Sequence, residues 1–167
     1  MHHYHIRTTE AKDNREIAAI IRLVLKEFGA NKPGTVYFDP TTDDLYSLFS
    51  TPRSAYYVIE SDGKLLGGCG IYPTEGLPSG YCELVKLYLL PQTRGLGLGS
   101  KLIEHCLTAA AELGYQHVYL ESMPELAQAV SLYRKLGFSR LNEPLGNSGH
   151  FGCDIWMTRS LDQTGSS

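Results

Sequence analysis

The chain has 167 residues, a formal net charge of −3, 43% apolar and 20% charged side chains, and four cysteines. That length suits one domain with a proper core, expected over residues 1–160 with a short polar tail at 161–167. The charge leaves no footprint for nucleic acid or an anionic membrane, and no stretch has the pattern of a membrane span or a signal peptide, so the cytoplasm is the expected compartment.

Cys69, Cys82, Cys106 and Cys153 are scattered, with no Cys-x-x-Cys pair to suggest zinc or redox chemistry. His2, His3 and His5 flank the alternating run Tyr4-His5-Ile6-Arg7, which reads as a first strand and not as a metal tract. No metal is expected anywhere in the chain. Asp13, with Glu16 three residues on, has the form of a capping box ahead of apolar positions Ile17, Ile20, Ile21, Val24, Leu25 and Phe28. A helix is therefore predicted there, ended by Gly29. Residues 31–40 read as loop, and Thr41-Thr42-Asp43-Asp44 starts a short helix reaching Phe49.

Residues 55–59 and 64–72 read as two strands around the turn Ser61-Asp62-Gly63. Gly67-Gly68 inside the second predicts a bulge or a close backbone approach. After a polar loop at 73–80, residues 81–89 form a largely apolar strand that runs into Pro91-Gln92-Thr93-Arg94-Gly95-Leu96-Gly97-Leu98-Gly99-Ser100. Leu98, Leu102, Cys106, Ala109 and Leu113 then recur at steps of three and four, one face of a helix. A glycine-rich turn between strand and helix aims backbone N–H groups and the positive helix end at one spot, which suits a phosphate. The order Ser100-Lys101 after Gly99 is wrong for a P-loop, and the glycine spacing is not that of a dinucleotide fingerprint.

Further on, residues 116–121 read as a strand ending in Glu121, and Ser122 caps a helix with Pro124 in its first turn. Its apolar stripe is Leu126, Ala129, Val130, Tyr133 and Leu136, closed by Gly137-Phe138. A glycine-rich loop, residues 147–153, leads to a final strand through Met157.

Two of these stretches, Arg94-x-x-Gly97-x-Gly99 and Ala129-x-x-Leu132-Tyr133 closed by Gly137-Phe138, resemble in order and spacing the signatures of the GCN5-related N-acetyltransferases. The resemblance implies an α/β fold with a mixed, mostly antiparallel central sheet, flanked by helices and splayed at the cofactor-binding strand. It implies acetyl-CoA as cosubstrate, with its pantetheine along Leu87, Tyr88 and Leu89. The pyrophosphate would lie on Arg94, Gly95, Leu96, Gly97, Leu98, Gly99 and Ser100, the arginine adding a cation, and a backbone N–H near Leu89 would polarise the thioester. Tyr133 matches the residue that protonates the departing thiolate. Glu83 and Glu121 match the proposed bases of two different branches, either able to take the amine proton directly or through water, with Glu121 favoured as acceptor-site residue. Without the resemblance, Glu83 reads equally as a solvent-exposed carboxylate and Tyr133 as a core aromatic.

The helix-loop-helix near the N-terminus covers the acceptor site in this family, making Lys32, Tyr37, Phe38 and Asp39 candidate contacts. His150 is a further candidate for acceptor binding or proton transfer, or a loop cap. Cys153 is not expected to act as an acyl-carrying nucleophile. The expected acceptor is a small-molecule amine or amino acid derivative. A non-catalytic acyl-CoA sensor and a protein or peptide N-acetyltransferase are the alternatives. Dimers are frequent in the family, so a homodimer is admitted, although no stretch of the chain marks a dimer face.

Overall fold

The computed structural model describes residues 3–161; His2 and most of the expected polar tail, residues 162–167, lie outside the described residues. Seven strands form one sheet in the order β1-β2-β3-β4-β5-β7-β6. They are β1 (His5–Thr8), β2 (Ala55–Ser61), β3 (Lys64–Tyr72), β4 (Tyr81–Leu89), β5 (His117–Ser122), β6 (Ser139–Leu141) and β7 (Ile155–Ser160). All neighbours run antiparallel except β4 and β5. The helices are α1 (Asn14–Glu27), α2 (Leu45–Leu48), α3 (Leu98–Glu112) and α4 (Ala127–Lys135). This is the mostly antiparallel, helix-flanked, splayed sheet expected from the sequence.

Each face of the sheet has its own core. On one, α3 and α4 contribute Leu102, Ile103, Cys106, Val130 and Tyr133 against Ile59, Ile71, Cys82 and Leu84. On the other, α1 sets Ile17, Ile21, Val24 and Leu25 against Tyr56, Val58 and Tyr88. Leu84 and Tyr88 are an even number of residues apart yet lie on opposite faces. A β-bulge explains this: between the pairs Gly68–Tyr88 and Gly70–Val85, Cys69 of β3 faces two residues of β4, Lys86 and Leu87. Lys86 takes the extra turn with a left-handed φ of 56°. The carbonyl that the bulge frees accepts a hydrogen bond from the buried Tyr56 hydroxyl at 2.8 Å. The glycines of β3 make room for this packing. A Cβ at Gly67 would lie 2.1 Å from the Tyr88 carbonyl oxygen, and one at Gly68 2.6 Å from the Tyr56 ring.

Several local expectations are corrected. Asp13 does occupy the N-cap position of α1, but its carboxylate caps nothing in that helix; it closes a 3-10 turn, Ala11–Asp13, accepting from the Glu10 N–H and from Arg7. Glu16 instead accepts the Leu65 N–H at the start of β3. The predicted helix from Thr41 to Phe49 is broken into a 3-10 turn, Pro40–Asp43, and the short α2, because Asp44 leaves helical geometry to cap Ser47. Ser122 does not cap a helix either. It pairs with Ile155 as the last residue of β5, and a 3-10 turn at Pro124–Leu126 separates it from α4. The edge strand β6 is three largely exposed residues without an apolar alternation, so nothing in the sequence announced it.

Candidate active site

β4 and β5 pair only through Tyr81–His117, Cys82–Val118 and Glu83–Tyr119. Beyond Glu83 the two strands part, β4 continuing beside β3 to Leu89 and β5 staying with β7 to Ser122. The divergence opens a cleft of about 320 Å³ whose walls are β4, the start of α3, α4 and the loop at 147–153. It has two chemically distinct ends.

One end is built from backbone. Gly95 and Gly97 have φ of 80° and 76°, the left-handed region that glycine enters without strain. They turn the chain so that α3 begins at Leu98, and its first intrahelical bond runs from the Lys101 N–H to the Gly97 carbonyl. The N–H groups of Leu98, Gly99 and Ser100 are thus left at the positive end of a 15-residue helix, facing the cleft. Leu87, Tyr88 and Leu89 form the adjoining wall. Leu96 does not line the cleft and is half exposed. Arg94 reaches the wall, and its guanidinium pairs with Glu27 of α1, with bonds of 2.6 and 2.9 Å, and lies over the Phe28 ring. In this structure the cation expected near the phosphates also clamps the loop to α1.

The other end is built from side chains. Glu83 is 3% exposed, because it sits at the fork where strand pairing stops. Burial pushes its carboxyl up to about 7, with the Glu121 charge adding to the rise, while the 2.6 Å hydrogen bond from Thr74 Oγ1, His150 and Lys86 pull it down. Glu83, Glu121 and His150 each offer an atom within 4.8 Å of the others. Glu121 accepts the Tyr119 hydroxyl at 2.7 Å on one oxygen and the Ser148 hydroxyl on the other. His150 Nε2 lies 3.0 Å from Asp39 Oδ2, and that contact holds the Asp39 carboxyl well below the usual range. Each of the three also has a hydrogen-bond partner on the protein, and together they form a polar pocket. The glycine-rich loop is pinned over it, since the Gly152 N–H donates to Gly34 and the His150 N–H to Ser148.

Tyr133 spans the two ends. It is buried, lines the cleft, and its phenol is pushed well above 10 by burial. Cys153 also lines the cleft, its thiol pushed up to about 12 by burial and by Glu121 and Glu83, so it stays protonated at neutral pH.

The structure therefore brings together Glu83, Glu121, Tyr133 and His150 with most of the predicted cofactor residues. It does not bring in Tyr37 and Phe38. They pack edge-to-face on each other outside the cleft, where Phe38 is exposed, and Val36 lines the wall instead. Lys32 is paired with Glu125. Sequence reasoning missed Lys86, Tyr119 and Ser148. Lys86 alone carried a signal, a lysine inside the apolar run Leu84-Val85-Lys86-Leu87.

A strand-splayed sheet with a helix N-terminus at one end of the cleft and a buried glutamate at the other defines a class. The profile of the "Acetyltransferase (GNAT) family" matches residues 17–138, and the chain belongs to that family. It is an acetyl-transferring enzyme. Over 158 residues it is 42% identical to the uncharacterized N-acetyltransferase YjgM of Escherichia coli (strain K12), covering 93% of this chain and 94% of that one. An uncharacterized N-acetyltransferase of Schizosaccharomyces pombe is 29% identical over 137 residues, 80% of each chain. Among solved structures, a GNAT-family acetyltransferase from Staphylococcus aureus Mu50 superposes with a TM-score of 0.85 at 16% identity, over 96% of this chain and 100% of that one. The PaiA N-acetyltransferase of Thermoplasma acidophilum, solved with coenzyme A, gives 0.75 at 17% identity, covering 95% and 99%.

Proposed function

We propose that the protein transfers the acetyl group of acetyl-CoA to the primary amine of a small molecule, with an amino acid derivative the favoured acceptor. The observation that carries this reading is the cleft itself, with free helix amides at one end and a buried carboxylate whose pKa is near neutrality at the other. The pyrophosphate rests on the N–H groups from Gly95 to Ser100, and the pantetheine extends along the unpaired edge of β4 from Leu87 to Leu89. An N–H near Leu89 polarises the thioester carbonyl.

An acceptor amine arrives protonated and cannot attack until it loses one proton. Glu83 takes that proton, directly or through a water, its raised pKa matching it to the task. Glu121, fixed by Tyr119 and Ser148, orients the nitrogen. The amine attacks the thioester carbon, the tetrahedral species expels the thiolate, and the nitrogen gives its second proton to solvent, from which the Tyr133 phenol is afterwards restored. Tyr133, kept as a phenol by burial, donates the proton that makes the free thiol.

The test is calorimetric binding of acetyl-CoA, run beside a CoA-release screen against amines, amino acids and peptides. Binding with turnover on small amines supports the reading. Binding with turnover only on peptides would replace the acceptor class, and binding without turnover on any acceptor would favour a sensor.

A further inference from the structure

Lys86 has no place in the chemistry just described, yet it carries three separate costs. Its side chain is 3% exposed, its backbone holds a left-handed φ of 56°, and its ammonium donates no hydrogen bond among the described residues. The nearest acid, Asp39 Oδ2, is 3.9 Å from Nζ, beyond hydrogen-bonding reach. Asp39 is in any case taken by His150 and by the Thr41 N–H and hydroxyl. A buried cation whose donors no protein group accepts is expensive, and strained residues of this kind gather at ligand sites.

The bulge decides where this cation points. In an unbroken strand Lys86 would share the face of Leu84 and enter the core beneath α3. The extra residue instead turns it into the cleft with Glu83, and the two are close enough that each charge acts on the other. One short stretch of β4 thus contributes both a carboxylate and an ammonium to the cleft, with Glu121 and His150 near the carboxylate.

We infer that Lys86 receives the carboxylate of an α-amino acid whose amino group is held at Glu83 and Glu121. The inference rests on the acetyltransferase reading above and narrows its acceptor to a zwitterion. An α-amino acid carries its ammonium and its carboxylate on one carbon, so both can be met at one end of the cleft, where Glu83 and Lys86 lie three positions apart on β4 and each charge acts on the other. A polyamine or an aminoglycoside would instead place a second positive charge against buried Lys86, a like-charge contact with little water to screen it.

The native enzyme is assayed for CoA release with the proteinogenic L-amino acids, each matched to its amide and to its decarboxylated amine. The expected result is a kcat/KM for the best amino acid at least about tenfold above either matched compound. In Lys86→Met, which keeps the length and packing of the side chain, that ratio should collapse toward one, chiefly through KM for the amino acid. Acetyl-CoA affinity by calorimetry checks that the cofactor end is intact. Amines turned over as well as their amino acids would overturn the inference. So would a Lys86→Met enzyme that loses kcat equally on both sets, which would make Lys86 an electrostatic support for Glu83. Acetyl-CoA binding with turnover of neither set also overturns it, leaving an acetyltransferase with another acceptor. Failure to bind acetyl-CoA overturns the underlying reading itself. If Lys86→Met does not fold, the native comparison decides alone.

Discussion

The two ends of the cleft solve recognition in opposite ways. At the helix end the donors on offer are main-chain N–H groups, contributed by one continuous run from Gly95 to Ser100 and needing only glycine at the turns. At the carboxylate end they are side chains from five separate places in the chain: Asp39, Glu83 and Lys86, Tyr119 and Glu121, Ser148, and His150. Backbone donors cannot be changed by substitution, so they suit a ligand that never varies. Buried charged side chains can be exchanged one at a time, and they suit a ligand that differs from one relative to the next.

The sharpest way to break this contrast is at Gly97. A Cβ there meets no atom within 4 Å, so Gly97→Val adds left-handed strain and bulk on the ligand side without a clash in the core. Acetyl-CoA affinity should fall by about a hundredfold or more by calorimetry, with the circular dichroism of a folded protein. Retained tight binding would remove the pyrophosphate from this loop.

Glu83→Gln comes next. Turnover should fall by about 10²–10³-fold with acetyl-CoA affinity kept, and the rise of kcat/KM through pH 7 should disappear. The same group has a signature in stability. Its pKa is raised from 4.5 to about 7 by folding, so the native state holds the proton more tightly than the unfolded chain, and stability drops as pH climbs between those values. At pH 8 that cost is about 3 kcal/mol, because each tenfold difference in proton affinity between the folded and unfolded chain is worth about 1.4 kcal/mol. Glu83→Gln should therefore melt at a higher temperature than the native protein at pH 8, the gain shrinking toward zero below pH 4.5. A melting temperature that is equal at both pH values would mean that Glu83 is not desolvated.

Tyr133→Phe should lower kcat by about ten- to a hundredfold while leaving acetyl-CoA affinity within about twofold. An unaltered kcat would make Tyr133 a packing residue. The smallest effect is expected at the clamp. Glu27→Ala frees a partly exposed Arg94 and should leave the chemical-denaturation midpoint almost unchanged. A larger loss would mean that the loop depends on α1 for its shape.

The contrast also explains what could be read from the sequence. The helix end was legible because its parts are consecutive and its glycines have a steric reason to be where they are. Two signatures in order were enough to place Tyr133 and the sheet behind it. Glu83 and Glu121 were legible as alternatives, but the fork that buries Glu83 is a property of strand pairing and not of any local pattern. Tyr37 and Phe38 were chosen by residue type within a loop, and the 3-10 turn around them leaves Phe38 exposed and Tyr37 against the α1-side core, while Asp39 turns toward His150. Tyr119, an ordinary strand aromatic in sequence, becomes a hydrogen-bond donor to Glu121 only because β5 alternation puts both on one face.

The junction between β4 and β5 has a mechanical meaning. Residues up to Leu89 supply strands β1 to β4 and residues from His117 supply β5 to β7, so the sheet consists of two sequence-contiguous blades joined by three register pairs. Such a seam has fewer paired residues than any other junction between the central strands, and amide deuteration is expected to be fastest there among them. A long ligand laid in the fork bridges both blades. Its arrival should stiffen the seam from Tyr81 to Glu83 and from His117 to Tyr119 more than any outer strand, turning a breathing hinge into a closed joint.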